Sequence, residues 1–202
     1  MCRSIFHETD KAVSISPLAV AVFAAAVYFL DMYVLMSLLF AVAVHELGHV
    51  LCLRVLGLNI RALSVGGGGL CIDYCGQCTA AAHILSAAAG PAAGLAYAYL
   101  CSYLGLKLHV SWFRLTAGMS LILSLYNLLP VLPLDGGRIF ATLCSVFLGD
   151  YRGGVLSGVI AVLVLLLLFA FGLWLFVNSF GAGVMLAAVY LTASMMRENR
   201  EP

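Results

Sequence analysis

The chain has 202 residues, of which 64% are hydrophobic and only 9% are charged. Soluble domains carry about 25% charged residues, so this composition excludes a water-soluble globular domain and indicates an integral membrane protein. The formal net charge of +1 also excludes the basic face that nucleic-acid binding requires, and we expect no nucleic-acid partner.

Six apolar runs predict the membrane-spanning helices. At about 20 apolar residues per span, a chain of this length holds about six or seven helices and leaves no room for an appended soluble domain. The runs lie at about 15–30, 33–57, 80–105, 112–130, 154–177 and 180–196. A shorter apolar stretch at 137–148 predicts a helix at the membrane interface. The expected fold class is an all-α polytopic membrane protein of about six transmembrane helices, with one integral-membrane domain over residues 1–202.

The distribution of Lys and Arg predicts the orientation of these spans. If both termini lie inside, eight of the ten Lys and Arg fall on the inner side, and only Lys107 and Arg114 fall outside. Because positive charges accumulate in cytoplasmic loops, we expect cytoplasmic N and C termini. The loops at 58–79 and 131–153 then face the cytoplasm as well.

The second span contains the motif HELGH at residues 45–49. Each ionisable side chain at bilayer depth costs roughly 2.5–3.5 kcal/mol on insertion scales, so the motif needs compensation. His45 and His49 are one helical turn apart on one face, which suits two ligands of one zinc ion. Glu46 lies beside them, where it can reach a water molecule at the metal without being a ligand. The alternative is a pair of hydrogen-bonded core histidines with a protonated glutamate.

A third metal ligand is expected at Asp135, which follows the apolar stretch of the fourth span. Pro130 and Pro133 break the helix before it, and Gly136 and Gly137 allow a tight turn directly after it. Unwound backbone at membrane depth is tolerated where protein or a cavity satisfies it, as at a metal site. The alternative for Asp135 is a turn-forming Asp-Gly pair at the interface.

The predicted topology brings these ligands to one depth. The second and fourth spans both run from outside to inside, with HELGH in the inner half of one and Asp135 at the inner end of the other. We therefore expect a single zinc site near the cytoplasmic face.

These motifs together resemble those of the site-2 protease family of intramembrane zinc metalloproteases. The resemblance is carried by HELGH at 45–49, Ser86 with Gly90 and Pro91, Asn127 with Pro130, and Leu134-Asp135-Gly136. It covers the second to fourth spans, the three-helix catalytic core of that family, at about 33–137 here.

The resemblance implies a role for each matching residue. His45, His49 and Asp135 would bind one catalytic Zn²⁺, and Glu46 would be the catalytic base. Asn127 would position the substrate backbone or stabilise the oxyanion. The implied activity is an intramembrane zinc endopeptidase that hydrolyses peptide bonds near the cytoplasmic face.

The resemblance also implies a setting and partners. The chain is most similar to compact members related to the stage IV sporulation protease, in a bacterial cell membrane. The expected partners are the lipid bilayer, a membrane protein or membrane-associated pro-protein as substrate, and a regulatory membrane protein.

The loop after the second span permits two interpretations. Four consecutive glycines at 66–69 fit either a re-entrant hairpin at 59–79, whose edge strand pairs with the substrate, or a flexible linker. Cys71, Cys75 and Cys78 in this loop face the reducing side, so we expect no disulfide there.

Two other classes of function use the same residues. A membrane metal transporter would use the ligands as a transit site and needs polar residues along a path to the other face. A non-catalytic metal-binding membrane protein would not need Glu46.

Overall fold

The computed structural model describes residues 13–15, 20, 24, 27–28, 30–66, 69–75, 79–179, 181 and 183–198. Six helices are present in these residues: α1 (Met32–Val55), α2 (Ala80–Leu108), α3 (Ser111–Asn127), α4 (Asp135–Leu148), α5 (Asp150–Val177) and α6 (Gly183–Glu198). The predicted helical fold is confirmed.

Three of these helices, α1, α2 and α5, are long and apolar enough to cross a membrane. They have 24, 29 and 28 residues, or about 36–44 Å at 1.5 Å per residue, which exceeds the roughly 30 Å hydrocarbon core. Helices α3 and α6 have 17 and 16 residues, so they are shorter than a typical full span. The expected total of about six spans stays a prediction, and its first run, at 15–30, lies mostly outside the described residues.

The observed helix boundaries differ from the predicted ones near the prolines and glycines between α3 and α4. The fourth apolar run was expected at 112–130, but α3 ends at Asn127. Pro130 lacks a backbone N–H and disfavours helical geometry at the residue before it, so the chain leaves the helix early. The interfacial helix expected at 137–148 is α4, and it begins two residues earlier, at Asp135.

A three-stranded sheet accompanies the helices. Strand β2 (Asn59–Gly66) pairs antiparallel with β3 (Gly69–Cys75), with Gly66 opposite Gly69. Strand β1 (Val13–Ile15) pairs parallel with β2, an arrangement that the sequence did not predict. The hairpin is therefore present in the backbone, whereas Gly67, Gly68 and Cys78 lie outside the described residues.

The chain divides into two compact units. The first comprises residues 1–79 and 89–124, and the second comprises residues 80–88 and 125–202.

Small residues bring the helices of the first unit close together. A Cβ atom at Gly48 of α1 would lie 2.6 Å from the carbonyl oxygen of Ala89 and 2.7 Å from Cβ of Ala93, both on α2. A Cβ atom at Gly94 would overlap the hydroxyl oxygen of Ser124 on α3. Glycine permits these approaches because it has no side chain, as is common between transmembrane helices.

The first unit also buries a group of hydroxyl side chains. Four of them are fully buried: Ser37, Thr116, Ser120 and Ser124. The Ser120 hydroxyl donates a hydrogen bond to the carbonyl oxygen of Gly94 at 2.8 Å, and the Ser124 hydroxyl donates to that of Ser120 at 2.8 Å. Because each of these donors has a carbonyl partner, its burial carries little penalty.

The second unit has an apolar core. Its buried members are Val131, Leu134, Ala161, Leu165 and Leu191. Two of them, Val131 and Leu134, belong to the segment between α3 and α4. This segment is therefore anchored by apolar packing although it is not helical.

A polar contact in the second unit joins the first turn of α2 to α4. Nδ1 of His83 lies 3.3 Å from the Thr142 hydroxyl oxygen, which also lies 2.8 Å from the Arg138 carbonyl oxygen. The Ser86 hydroxyl donates to the carbonyl oxygen of His83 at 3.0 Å. His83 is thus a hydrogen-bonded histidine near a helix end.

Candidate metal centre

Helix α1 presents the two histidines of HELGH together. His45 and His49 are buried, with exposed fractions of 4% and 9%. Their Nε2 atoms are 3.2 Å apart, and the two rings meet edge to face with centroids 4.9 Å apart. The spacing of four residues in the sequence therefore produces two adjacent imidazole nitrogens in the structure.

The separation of these nitrogens suits one metal ion. Two tetrahedral zinc ligands, each about 2.0–2.1 Å from the ion, are about 3.3–3.4 Å apart. The observed 3.2 Å between the Nε2 atoms of His45 and His49 is close to that spacing. The pair fits a shared ion without a change of helix geometry.

Asp135 is the first residue of α4, and it is buried, with an exposed fraction of 7%. Its position depends on the two glycines that follow it. A Cβ atom at Gly136 would overlap the carbonyl group of Leu128, and one at Gly137 would lie 2.5 Å from the backbone nitrogen of Leu132. The non-helical segment therefore folds directly over the first turn of α4.

The start of a helix is a favourable place for a buried carboxylate. The unpaired N–H groups of the first turn carry partial positive charge, which stabilises a negative side chain by about 0.3–1 kcal/mol or more. Asp135 is the acidic residue in the first turn of α4. The helix thus favours the charged form that a metal ligand requires.

The predicted ligands form one group of possible donors. His45, His49 and Asp135 each offer one ligand atom, and these atoms all lie within 4.8 Å of one another. All three side chains are buried. Two imidazole nitrogens and one carboxylate oxygen are a ligand set used by catalytic zinc sites, which keep a fourth position for water or substrate.

The two other predicted site residues lie near these ligands in the sequence. Glu46 follows His45 on α1 and is half-buried. Asn127 is the last residue of α3 and is also half-buried. Their catalytic roles stay predictions.

One neighbour of the histidines was not predicted as a site residue. A Cβ atom at Gly90 would lie 2.5 Å from Cε1 and 2.7 Å from Cδ2 of the His49 ring, and it would overlap Nε2. The sequence signal was the pair of small residues Gly90 and Gly94, which by spacing alone indicates only close helix packing.

The described helices and this buried donor group suit one class of protein, a membrane protein with a candidate internal metal centre. Comparisons with known proteins give a partial family match. Residues 106–175 match the family model described as peptidase family M50, and this stretch contains Asn127 and Asp135.

Curated relatives and a solved structure agree with that match. The chain is 32% identical over 166 residues to Rip3, named as a zinc metalloprotease, from the Erdman and H37Rv strains of Mycobacterium tuberculosis. This alignment covers 76% of the chain but 41% of Rip3, so the chain spans less than half the length of these relatives. The structure of the site-2 protease from Methanocaldococcus jannaschii superposes with a TM-score of 0.67 and 18% identity, covering 97% of this chain and 95% of that one. The comparisons thus show a partial match to peptidase family M50 and the fold of the site-2 protease.

Proposed function

We propose that this chain is an intramembrane zinc endopeptidase that hydrolyses peptide bonds of a transmembrane or membrane-associated substrate near the cytoplasmic face. The observation that carries the proposal is the buried donor group of His45, His49 and Asp135. The relationship to M50 peptidases supports it, because the matched relatives are named as zinc metalloproteases.

His45, His49 and Asp135 are the proposed zinc ligands. Their donor atoms are of the types that zinc prefers, and the distance between the two Nε2 atoms fits one shared ion. When bound, zinc acts as a Lewis acid on the peptide carbonyl and lowers the pKa of water to about 7.

Glu46 is the proposed general base. Its carboxylate takes a proton from the water molecule whose oxygen attacks the peptide carbonyl carbon. As the C–N bond breaks, Glu46 returns the proton to the leaving nitrogen, so the products are a carboxylic acid, which then loses its proton to water, and an amine. The amide of Asn127 is proposed to hold the substrate backbone or to donate to the developing oxyanion.

A helical substrate must unwind locally before cleavage. Its carbonyl oxygens otherwise accept hydrogen bonds within the helix, and the backbone shields the carbonyl carbons. The hairpin of β2 and β3 supports a role in holding an unwound segment, because β3 has a strand neighbour on one side among the strands that the structure describes. Pairing of the substrate with this edge stays part of the proposal.

The setting proposed for this activity is a bacterial cell membrane, with both termini in the cytoplasm. The charge distribution supports this orientation. The proposed substrates are membrane proteins or membrane-associated pro-proteins, and a regulatory membrane protein is the proposed further partner.

The test is cleavage by purified protein in detergent, with zinc measured on the same samples. For Glu46→Gln we expect cleavage of a single-span substrate to fall by at least about 100-fold, because general acid–base catalysis contributes about 10²–10⁴-fold. Zinc content should be unchanged, since Glu46 is not a proposed ligand. Glu198→Gln, which changes a glutamate at the end of α6, is the control and should cleave like the parent. Full activity in Glu46→Gln would exclude Glu46 as the base.

A metal transporter remains the main alternative to test against. A transporter needs polar residues that continue through the outer halves of the second and fourth spans. Ser37 and Thr116 are buried in these halves, with their hydroxyl oxygens 3.1 Å apart. However, the Ser37 hydroxyl donates to the Tyr33 carbonyl oxygen, as expected for helix packing. Zinc flux in proteoliposomes without cleavage would favour the transporter.

A further inference from the structure

The His49 ring lies directly against the backbone of α2 at Gly90. A Cβ atom at Gly90 would be 2.5 Å from Cε1 and 2.7 Å from Cδ2 of that ring. These distances are far inside the roughly 3.5–4.0 Å at which carbon atoms pack. The ring therefore occupies the space that any other residue at position 90 would fill.

We propose that Gly90 is a positioning residue for the metal centre, because its missing side chain leaves room for the His49 ring beside His45. This inference rests on the proposed function, since it treats His49 as a metal ligand. Gly90 contacts no reacting atom. It acts through the orientation of His49.

The packing around Gly90 decides what a methyl group there would displace. The two helices are already in close contact at Gly48, where a Cβ atom would lie 2.6 Å from the Ala89 carbonyl oxygen. Separating α1 from α2 would open this contact between Gly48 and Ala89, and Ala89 directly precedes Gly90 on α2. Rotating one imidazole ring disturbs less packing than moving two helices. The ring is thus expected to move, and its Nε2 would leave the position 3.2 Å from Nε2 of His45.

Gly94 provides a matched control one turn further along α2. Its missing Cβ also leaves room for a neighbouring side chain, but that neighbour is the Ser124 hydroxyl on α3. Gly94→Ala should therefore disturb helix packing without moving a metal ligand. A merely structural role for Gly90 would make the two variants behave alike.

The first experiment measures thermal unfolding of the metal-free protein in detergent. We compare Gly90→Ala, His49→Ala and the double variant with the parent. Gly90→Ala should lower the unfolding temperature of the parent but have little effect in the His49→Ala background, because the ring that it displaces is absent. Gly94→Ala should lower the unfolding temperature equally in both backgrounds. An equal cost of Gly90→Ala with and without the His49 ring would overturn the proposal.

The second experiment measures metal binding by the folded variants. Gly90→Ala should bind zinc at least tenfold more weakly than the parent, since residues that orient metal ligands typically contribute about 10- to 100-fold to affinity. The absorption spectrum of the Co²⁺-substituted protein should also change, because it reports ligand geometry. Gly94→Ala should keep the parent's affinity and spectrum.

The outcomes separate this inference from the proposed function. Parent-like zinc affinity and Co²⁺ spectrum in Gly90→Ala would overturn the inference and leave the proposed metal centre intact. Parent-like zinc affinity in His49→Ala would overturn the metal centre and the inference with it. If Gly90→Ala fails to fold, the double variant decides: recovery of folding in the His49→Ala background supports the inference, and continued failure overturns it.

Discussion

Burial of His45, His49 and Asp135 is the residue-scale feature on which the proposed chemistry depends. Polar groups removed from water lose hydration and need compensating partners. Zinc binding, with apparent free energies on the order of 10 kcal/mol or more, is large enough to offset that loss. The close approach of the donor atoms therefore has a physical reason if the group holds a metal ion.

At this scale Asp135 and Asp150 make a matched pair. Each is the first residue of its helix, but Asp135 is buried whereas Asp150 is exposed. Asp135→Asn should reduce zinc affinity by more than tenfold, because the neutral amide is a poorer zinc ligand than the carboxylate. Asp150→Asn should leave affinity unchanged, although both variants lose the same first-turn charge. Zinc titration against a competing chelator measures both, and equal affinities would remove Asp135 from the ligand set.

Close packing at glycines is the main feature at the scale of helices and segments. In the second unit, a Cβ atom at Gly153 of α5 would lie 2.6 Å from the backbone carbon of Cys144 and 2.6 Å from the backbone nitrogen of Ser145 at the end of α4. At Gly154, the next residue, a Cβ atom would have no heavy atom outside its own helix turn within 4 Å. Two neighbouring glycines thus have opposite surroundings.

This contrast predicts opposite effects of the same substitution. Gly153→Ala should destabilise the protein by about 1–3 kcal/mol, because the added methyl group overlaps backbone that has little freedom to move. Gly154→Ala should be neutral or stabilising by up to about 1 kcal/mol, since alanine favours the helix and meets no neighbour. Unfolding of both variants in a denaturant series gives the comparison. Equal stabilities would contradict the close contact between α4 and α5.

The segment between α3 and α4 shows what the sequence predicted at this scale. Pro130 and Pro133 predicted a broken helix, which is present, but the tight turn expected after Asp135 is absent, because Gly136 and Gly137 lie in the first turn of α4. The exact end of α3 depended on the conformation before Pro130, and the burial of Val131 and Leu134 depended on the helices that pack against them. Local chemistry predicted the break, whereas contacts distant in sequence determined how the segment is held.

Membrane orientation is a property of the whole molecule, and the charge count predicts it. Lys107, at the end of α2, should face the outside, and Arg152, at the start of α5, should face the cytoplasm. Both side chains are exposed. In a variant without native cysteines, a membrane-impermeant maleimide added to intact cells should label Lys107→Cys and not Arg152→Cys. Labelling with the reverse preference would invert the predicted topology.

The sequence by itself determined the class of molecule. A chain with 64% hydrophobic residues must be covered by lipid, and the HELGH spacing on one helix must bring two imidazoles to the same face. It also predicted Asp135 as a third ligand, because unwound backbone at membrane depth is tolerated where protein or a cavity satisfies it, as at a metal site. These conclusions need only composition and local backbone geometry.

The tertiary structure decided which side chain each small residue contacts. Gly90 and Gly94 look alike in the sequence, yet one lies against a proposed metal ligand and the other against a serine hydroxyl. Likewise, strand β1 pairs with strand β2, which lies far along the chain. Such pairings depend on which surfaces meet when distant segments pack, and a single sequence does not encode that in any local pattern.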